Sequence, residues 1–181
     1  RYACPKGRSG VAQAPAPRLK PDVPNHSAIL NDADFNAFRR AMRAADDDEW
    51  DAVREAMFQI DHPVADKVLL WRIAVSDARA PFSDLDRAID ELDGWPRAWS
   101  IRREAEWKIE ESGLSSALIV DWFEDRDPIT GEGRVALGEA LLELGRVEEG
   151  QEQIRSAWRS QTMRLSFQSD VYQTHGDILT R

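Results

Sequence analysis

With 181 residues, 42% of them apolar, the chain can bury one ordinary core or a short run of repeats. No apolar run reaches the length needed to span a bilayer, which excludes a transmembrane helix. The net charge of -9 is uneven: residues 1 to 28 carry +4 and the remainder -13. So acidic a body argues against nucleic acid as the main partner, because neutralising phosphates takes a basic surface.

The chain begins with Arg1 rather than Met, which reads as a processed, clipped or partial frame. Its first 27 residues, "RYACPKGRSGVAQAPAPRLKPDVPNHS", hold five prolines and almost no apolar periodicity. Such a stretch cannot bury enough surface to offset its ordering entropy. Residues 1 to about 30 are expected to be a disordered linker or leader remnant. The single cysteine, Cys4, lies in it and has no partner for a disulfide or a cysteine metal site.

From residue 31 the pattern is helix after helix, and residues 31 to 181 read as one all-α domain. Phe35, Phe38, Met42 and Ala45 fall at helical steps, followed by Trp50, Val53, Met57 and Ile60. The acidic run Asp46 to Glu49 suits the start of the second helix, facing the positive end of its dipole. Adjacent Asp residues diverge on a helix, which disfavours a metal site there. Asp61 is the candidate N-cap of a third helix with Pro63 in its first turn and Val64, Val68, Trp71 and Val75 as its stripe. A fourth helix starts at Pro81 and lines up Phe82, Leu85, Ile89 and Leu92. A fifth restarts after Gly94 with Pro96 in its first turn. Ser115 and Thr130 cap the next two, and Gly145 stops the seventh. Two more finish the chain, the last over residues 166 to 180.

About nine helices with short links imply antiparallel neighbours, and no sustained alternation predicts a sheet. Residues 131 to 162 approach a tetratricopeptide unit. Leu137-Gly138, the turn Gly145, the small Gly150, then Ile154 and Ala157 occupy its expected positions, with Thr162 where a proline is usual. The expected fold is therefore an α-solenoid or superhelix of stacked antiparallel hairpins, tetratricopeptide-like in part.

A longer stretch carries a resemblance. Trp95-Pro96-Arg97, Ile101-Arg102-Arg103-Glu104-Ala105-Glu106, Trp122-Phe123, Pro128, Thr130-Gly131-Glu132-Gly133 and Leu144-Gly145 run collinearly. Together with "AADDDEWDAV" and "VLLWRIA" upstream, they resemble the α-superhelical part of the soluble lytic murein transglycosylases of Gram-negative bacteria. The resemblance implies a periplasmic platform for a peptidoglycan-cleaving protein. In that family a separate lysozyme-like domain follows the superhelix and cuts glycan strands to 1,6-anhydro-N-acetylmuramic acid products. This implies glycan strands and the protein's own catalytic domain as partners, with no cofactor. The family's catalytic Glu-Ser is followed downstream by Gly-Leu-Met-Gln, which is missing here, so the catalytic domain is expected to lie outside this chain. The expected function is a non-catalytic superhelical platform. The alternative is a stand-alone helical-repeat adaptor for a protein or peptide.

Glu111-Ser112 is the one pair that superficially matches the catalytic motif. A glycosidic acid must stay protonated near neutral pH, which takes burial away from competing charge. Glu111 has Glu110, Lys108 and Glu106 close by in sequence, with Gly113 set to cap the helix, so a solvated turn is expected. His26, His62 and His175 have no ligand spacing. No catalytic, cofactor-binding or metal-binding residue is therefore assigned. The seven tryptophans, Trp50, Trp71, Trp95, Trp99, Trp107, Trp122 and Trp158, could stack on sugars, but most share stripes with aliphatic residues and are expected to fill the core. Trp107 lies among charges and is the least settled. "RREAEWK" reads as an ion-paired helix face or a docking surface. At the C-terminal end, Leu165, Phe167, Val171, Ile178 and Leu179 are expected to be partly exposed if a further hairpin is missing, making that end prone to association.

Overall fold

The computed structural model describes residues 26–160 and 163–179, and these contain α-helices and no strand. The expectation of disorder over residues 1 to about 30 falls mostly outside the described residues. The helices are α1 (Asp32–Asp46), α2 (Trp50–Met57), α3 (Pro63–Ser76), α4 (Phe82–Glu91), α5 (Ala98–Lys108), α6 (Ser116–Trp122), α7 (Gly131–Glu143), α8 (Val147–Ser160) and α9 (Leu165–Leu179). A single 3-10 turn, Glu110–Ser112, separates α5 from α6.

Local chemistry sets most of the boundaries. Asn31 caps α1 by accepting from Asp34 N, Ser115 caps α6, and Thr130 caps α7 by accepting from Gly133 N at 2.9 Å. Pro63 occupies the first turn of α3, where its missing N–H costs no intrahelical bond. At the end of α7, Gly145 takes φ +78°, Arg146 N donates to Leu141 O and Gly145 N donates to Leu142 O. That is a Schellman closure, and it turns the chain into α8.

Some boundaries depart from the sequence reading. Asp46 ends α1, and Asp48 stands in the left-handed position (φ +59°) while Glu49 N donates back to Ala44 O. The acidic run thus closes α1 with Asp46 and Asp47 and opens α2 with Glu49, its N-cap. Arg72 offsets the unfavourable charge at the end of α1 by donating to Asp46 at 2.8 Å. His62, not Asp61, is the N-cap of α3, without a side-chain capping bond, and Asp61 N donates to the buried Asp34 carboxylate at 3.0 Å. Pro96 precedes α5 rather than starting it. Its carbonyl accepts from Trp71 Nε1 at 2.8 Å, and Arg97 is left-handed at φ +68°.

Helix faces also differ from the expected stripes. On α1 the buried positions are Asp34, Ala37, Ala41, Ala44 and Ala45, while Phe35, Phe38 and Met42 are half-buried. On α3, Ala65, Leu69, Leu70, Ile73 and Ala74 are buried, whereas Val64 is 52% exposed. On α1 the small side chains take the close approach and the large ones fan out beside it, whereas on α3 the buried face is built mainly on Leu69, Leu70 and Ile73.

Apart from α5 and α6, each helix packs on its sequence neighbour, and α1 also touches α3, α3 touches α5 and α5 touches α7. Across the α7–α8 turn Gly138 faces Gly150, and Arg134 Nη1 donates to Gln153 at 3.1 Å, so these two helices run antiparallel. The main apolar core extends from α1 to α7; a second cluster of Val135, Ile154, Ala157, Met163 and Val171 joins α7, α8 and α9. No helix among the described residues is long and apolar enough to cross a membrane.

Candidate functional site

Polar groups in the interior work as fasteners between successive hairpins. Glu106, buried on α5, accepts from Ile129 N (3.0 Å), Thr130 N (2.7 Å) and Thr130 Oγ1 (2.7 Å), and lies 3.4 Å from Arg102 Nε. Its charge meets the N-terminal end of α7, where unpaired N–H groups concentrate positive potential. Gly133 leaves room for it: a Cβ there would stand 2.6 Å from Glu106 Oε2. Glu132, buried in the first turn of α7, accepts from Arg164 N and Arg164 Nε, both at 2.9 Å, and so ties α7 to the start of α9. Asp77, also buried, receives Arg54 Nη2 at 2.6 Å, and Arg54 Nε reaches Asp84 at 2.8 Å, joining α2 to the entry of α4. Lys108 donates to the carbonyls of Ala78 (3.0 Å) and Ala80 (2.8 Å) and pins the α3–α4 connection to α5.

Glu111 and Ser112 lie in the 3-10 turn, with Glu111 exposed. Ser112 Oγ donates to Ile109 O and accepts from Leu114 N, while Gly113 turns the chain at φ +71°. The neighbouring Glu110 carboxyl is pushed above its ordinary range, first by partial loss of hydration and then by repulsion from Glu139. Glu111 and Glu132 add to the effect and Arg164 opposes it. Glu139 in turn meets His175 Nε2 at 2.6 Å, at the point where α9 is kinked (φ −121°, ψ 16° at His175). His62 and His26 lie far from this group in sequence, and no set of three or more His, Cys, Asp or Glu among the described residues is arranged to hold a metal ion.

One solvent-facing arrangement has the character of a binding surface. Trp99, Arg103 and Trp107 follow at i, i+4 and i+8 along α5, which places them on one face. The Arg103 guanidinium lies 5.0 Å from the Trp99 ring centre and 4.8 Å from that of Trp107. Arg164 approaches Trp107 from the start of α9, at 5.0 Å. The result is a ladder of alternating rings and cations. Trp99 remains 59% exposed and forms one side of a cavity of about 300 Å³ with Ile89, Leu92, Arg102 and Ile129. Arg103 makes no ion pair among the described residues, and its Nε and Trp107 Nε1 are buried without a hydrogen-bond partner.

The tryptophans divide accordingly. Trp50 is buried, Trp71, Trp95 and Trp122 pack on the main core, and Trp158 packs on the second cluster. Trp99 and Trp107 belong to neither; this corrects the packing expectation for Trp99, while Trp107 was the one left least settled. The ion-paired reading of "RREAEWK" holds at Lys108–Glu104 (3.6 Å) and Arg102–Glu106 but not at Arg103. The Trp-x3-Arg-x3-Trp spacing was there to be read, whereas the arrival of Arg164 was not.

Compared with known protein families, curated proteins and solved structures, the chain matches none.

Proposed function

We propose that this chain is a non-catalytic helical platform that bears on the glycan strands of peptidoglycan and supports a lysozyme-like catalytic domain, in the periplasm. The observation that carries the proposal is the Trp99–Arg103–Trp107 ladder. An open indole face accepts the apolar face of a sugar ring, and a guanidinium without a carboxylate partner suits the anionic groups along such a strand. The resemblance of about residue 33 to the end of the chain to the superhelical part of lytic transglycosylases supplies the polymer and the compartment. The succession of contacts from α1 to α3 to α5 to α7 supports a solenoid of stacked hairpins. The close glycine seam between α7 and α8 supports a tetratricopeptide-like unit there.

The test is co-sedimentation of the chain with purified peptidoglycan sacculi. Trp99→Ala is expected to lower the affinity about tenfold, a change of the size expected when a binding surface loses a central aromatic. Trp99 is largely exposed, so helix content should not change. Equal sedimentation of the variant and its parent would remove the ladder from the proposal. The chain alone is expected to release no anhydromuropeptides; their appearance would overturn the non-catalytic part.

A second reading, an adaptor for another protein, is favoured by a separate feature, the groove between α6 and α8.

A further inference from the structure

Helices α6 and α8 both flank α7, and between them lies a groove of about 460 Å³. Such a volume lies within the range of about 300–1,000 Å³ usual for binding clefts. Its base is apolar, formed by Val120 and Phe123 from the α6 side and by Leu137 and Leu141 of α7. Leu118, Leu144 and Val147, on the elements that border it, are 52%, 46% and 44% exposed. The groove is negatively charged. Asp121 and Glu124 line it, both are exposed, and neither makes an ion pair among the described residues. Arg146, the cation in its lining, is already held by both Glu149 oxygens, at 2.8 and 2.6 Å.

We propose that this groove receives an amphipathic helix of a partner protein, one that carries Lys or Arg beside its apolar stripe. A further helix laid between α6 and α8 would cover the apolar base on a regular packing surface. Extended-strand addition needs a sheet edge, and the described residues contain no strand. Charge complementarity selects the basic partner: cations flanking the stripe reach Asp121 and Glu124, while an acidic helix meets like charge. The proposal rests on the chain being a scaffold that holds a partner, and uses neither the ladder on α5 nor the glycan.

Fluorescence anisotropy of the full chain with three labelled peptides of about 18 residues tests it. The first is a Leu/Lys amphipathic helix, the second its Leu/Glu counterpart, and the third a scrambled Leu/Lys sequence of equal charge without an apolar face. The first is expected to bind, and the other two to bind about tenfold more weakly or worse. Asp121→Lys combined with Glu124→Lys is expected to weaken the first peptide about tenfold, whereas Asp170→Lys with Asp177→Lys on α9 leaves it unchanged. All four positions are exposed, so the fold tolerates both variants. Hydrogen exchange on the unsubstituted chain with the first peptide should slow across α6 and the α7–α8 turn. Absence of binding, equal binding of the scrambled peptide, an equal effect of the α9 variant, or protection confined to other helices would each overturn the proposal. Sedimentation with sacculi reads the Trp99 surface separately, so failure of either experiment leaves the other standing.

Discussion

Glu106 illustrates how a residue type associated with catalysis can be wholly engaged in structure. Its two oxygens receive two backbone N–H groups and a hydroxyl, and no face of it reaches solvent. Glu106→Gln keeps the shape but turns an NH2 toward N–H donors, so the start of α7 loses both charge and acceptors. A loss of about 2–4 kcal/mol is expected, from broken charge-assisted bonds and unsatisfied buried groups. The urea midpoint of unfolding measures it. Glu110 shows the opposite balance. Its carboxyl is held above the ordinary value of 4.5, so the folded state disfavours its ionised form. For an acid with a raised value the penalty is absent at low pH and sets in as pH rises through the shifted range. Glu110→Gln should therefore stabilise the protein at about pH 7 and make no difference at about pH 4. Thermal unfolding at the two pH values checks the sign. A gain that persists in acid would show that the effect is not ionisation.

At the scale of elements, the α7–α8 hairpin depends on two glycines facing each other. A Cβ at Gly150 would stand 2.6 Å from the Gly138 carbonyl oxygen, and one at Gly138 would stand 2.9 Å from the Gly150 oxygen. Backbone cannot rotate away as a side chain can, so the helices must separate. Gly150→Ala is expected to cost about 1–3 kcal/mol by overpacking, even though alanine is the better helix former by about 1 kcal/mol. Gly176→Ala on α9 provides the contrast, because a Cβ there meets nothing within 4 Å. It should be neutral or mildly stabilising in the same denaturation experiment. The pair separates packing from propensity, since the substitution is identical.

For the molecule as a whole, exposed apolar side chains occur along the chain, from Phe58 (91%) to Leu165, and one group of them lies on α9. Leu165 is 81% exposed and Tyr172 55% exposed, and both border a cavity that also includes Trp158. Val171, expected to be partly open, is instead buried at 3% among Val135, Ile154, Ala157 and Met163, because α9 folds back onto α7 and α8. The apolar face on α9 is thus narrower than its sequence suggests, with Leu165 its most open member. Weak, concentration-dependent self-association is expected through it. Leu165→Glu should abolish that in sedimentation velocity without altering helix content. A sedimentation coefficient independent of concentration in the parent chain would count against it.

The all-α class, the helix order, the caps Ser115 and Thr130 and the turn glycines Gly113 and Gly145 were legible, because each depends on chemistry within a few residues. The solvated turn expected at Glu111 was legible in its charged neighbours, and Glu111 lies exposed in a 3-10 turn. What the sequence could not decide is which of two apolar stripes on a helix faces inward. On α1 alanines took the contact and on α3 Leu69, Leu70 and Ile73 did, a choice that depends on how closely the neighbouring helix approaches. Nor could it assign partners to charges. Whether Glu106 is buried, whether Arg103 goes without a carboxylate and whether Arg164 reaches Trp107 all depend on segments brought together from 20 to 60 residues apart, roughly the reach of one or two hairpins. Local sequence determined where the helices begin and end, through capping and backbone conformation. Only the tertiary structure decided which carboxylates are fasteners and which aromatic faces stay open, because burial belongs to the packed chain rather than to any residue.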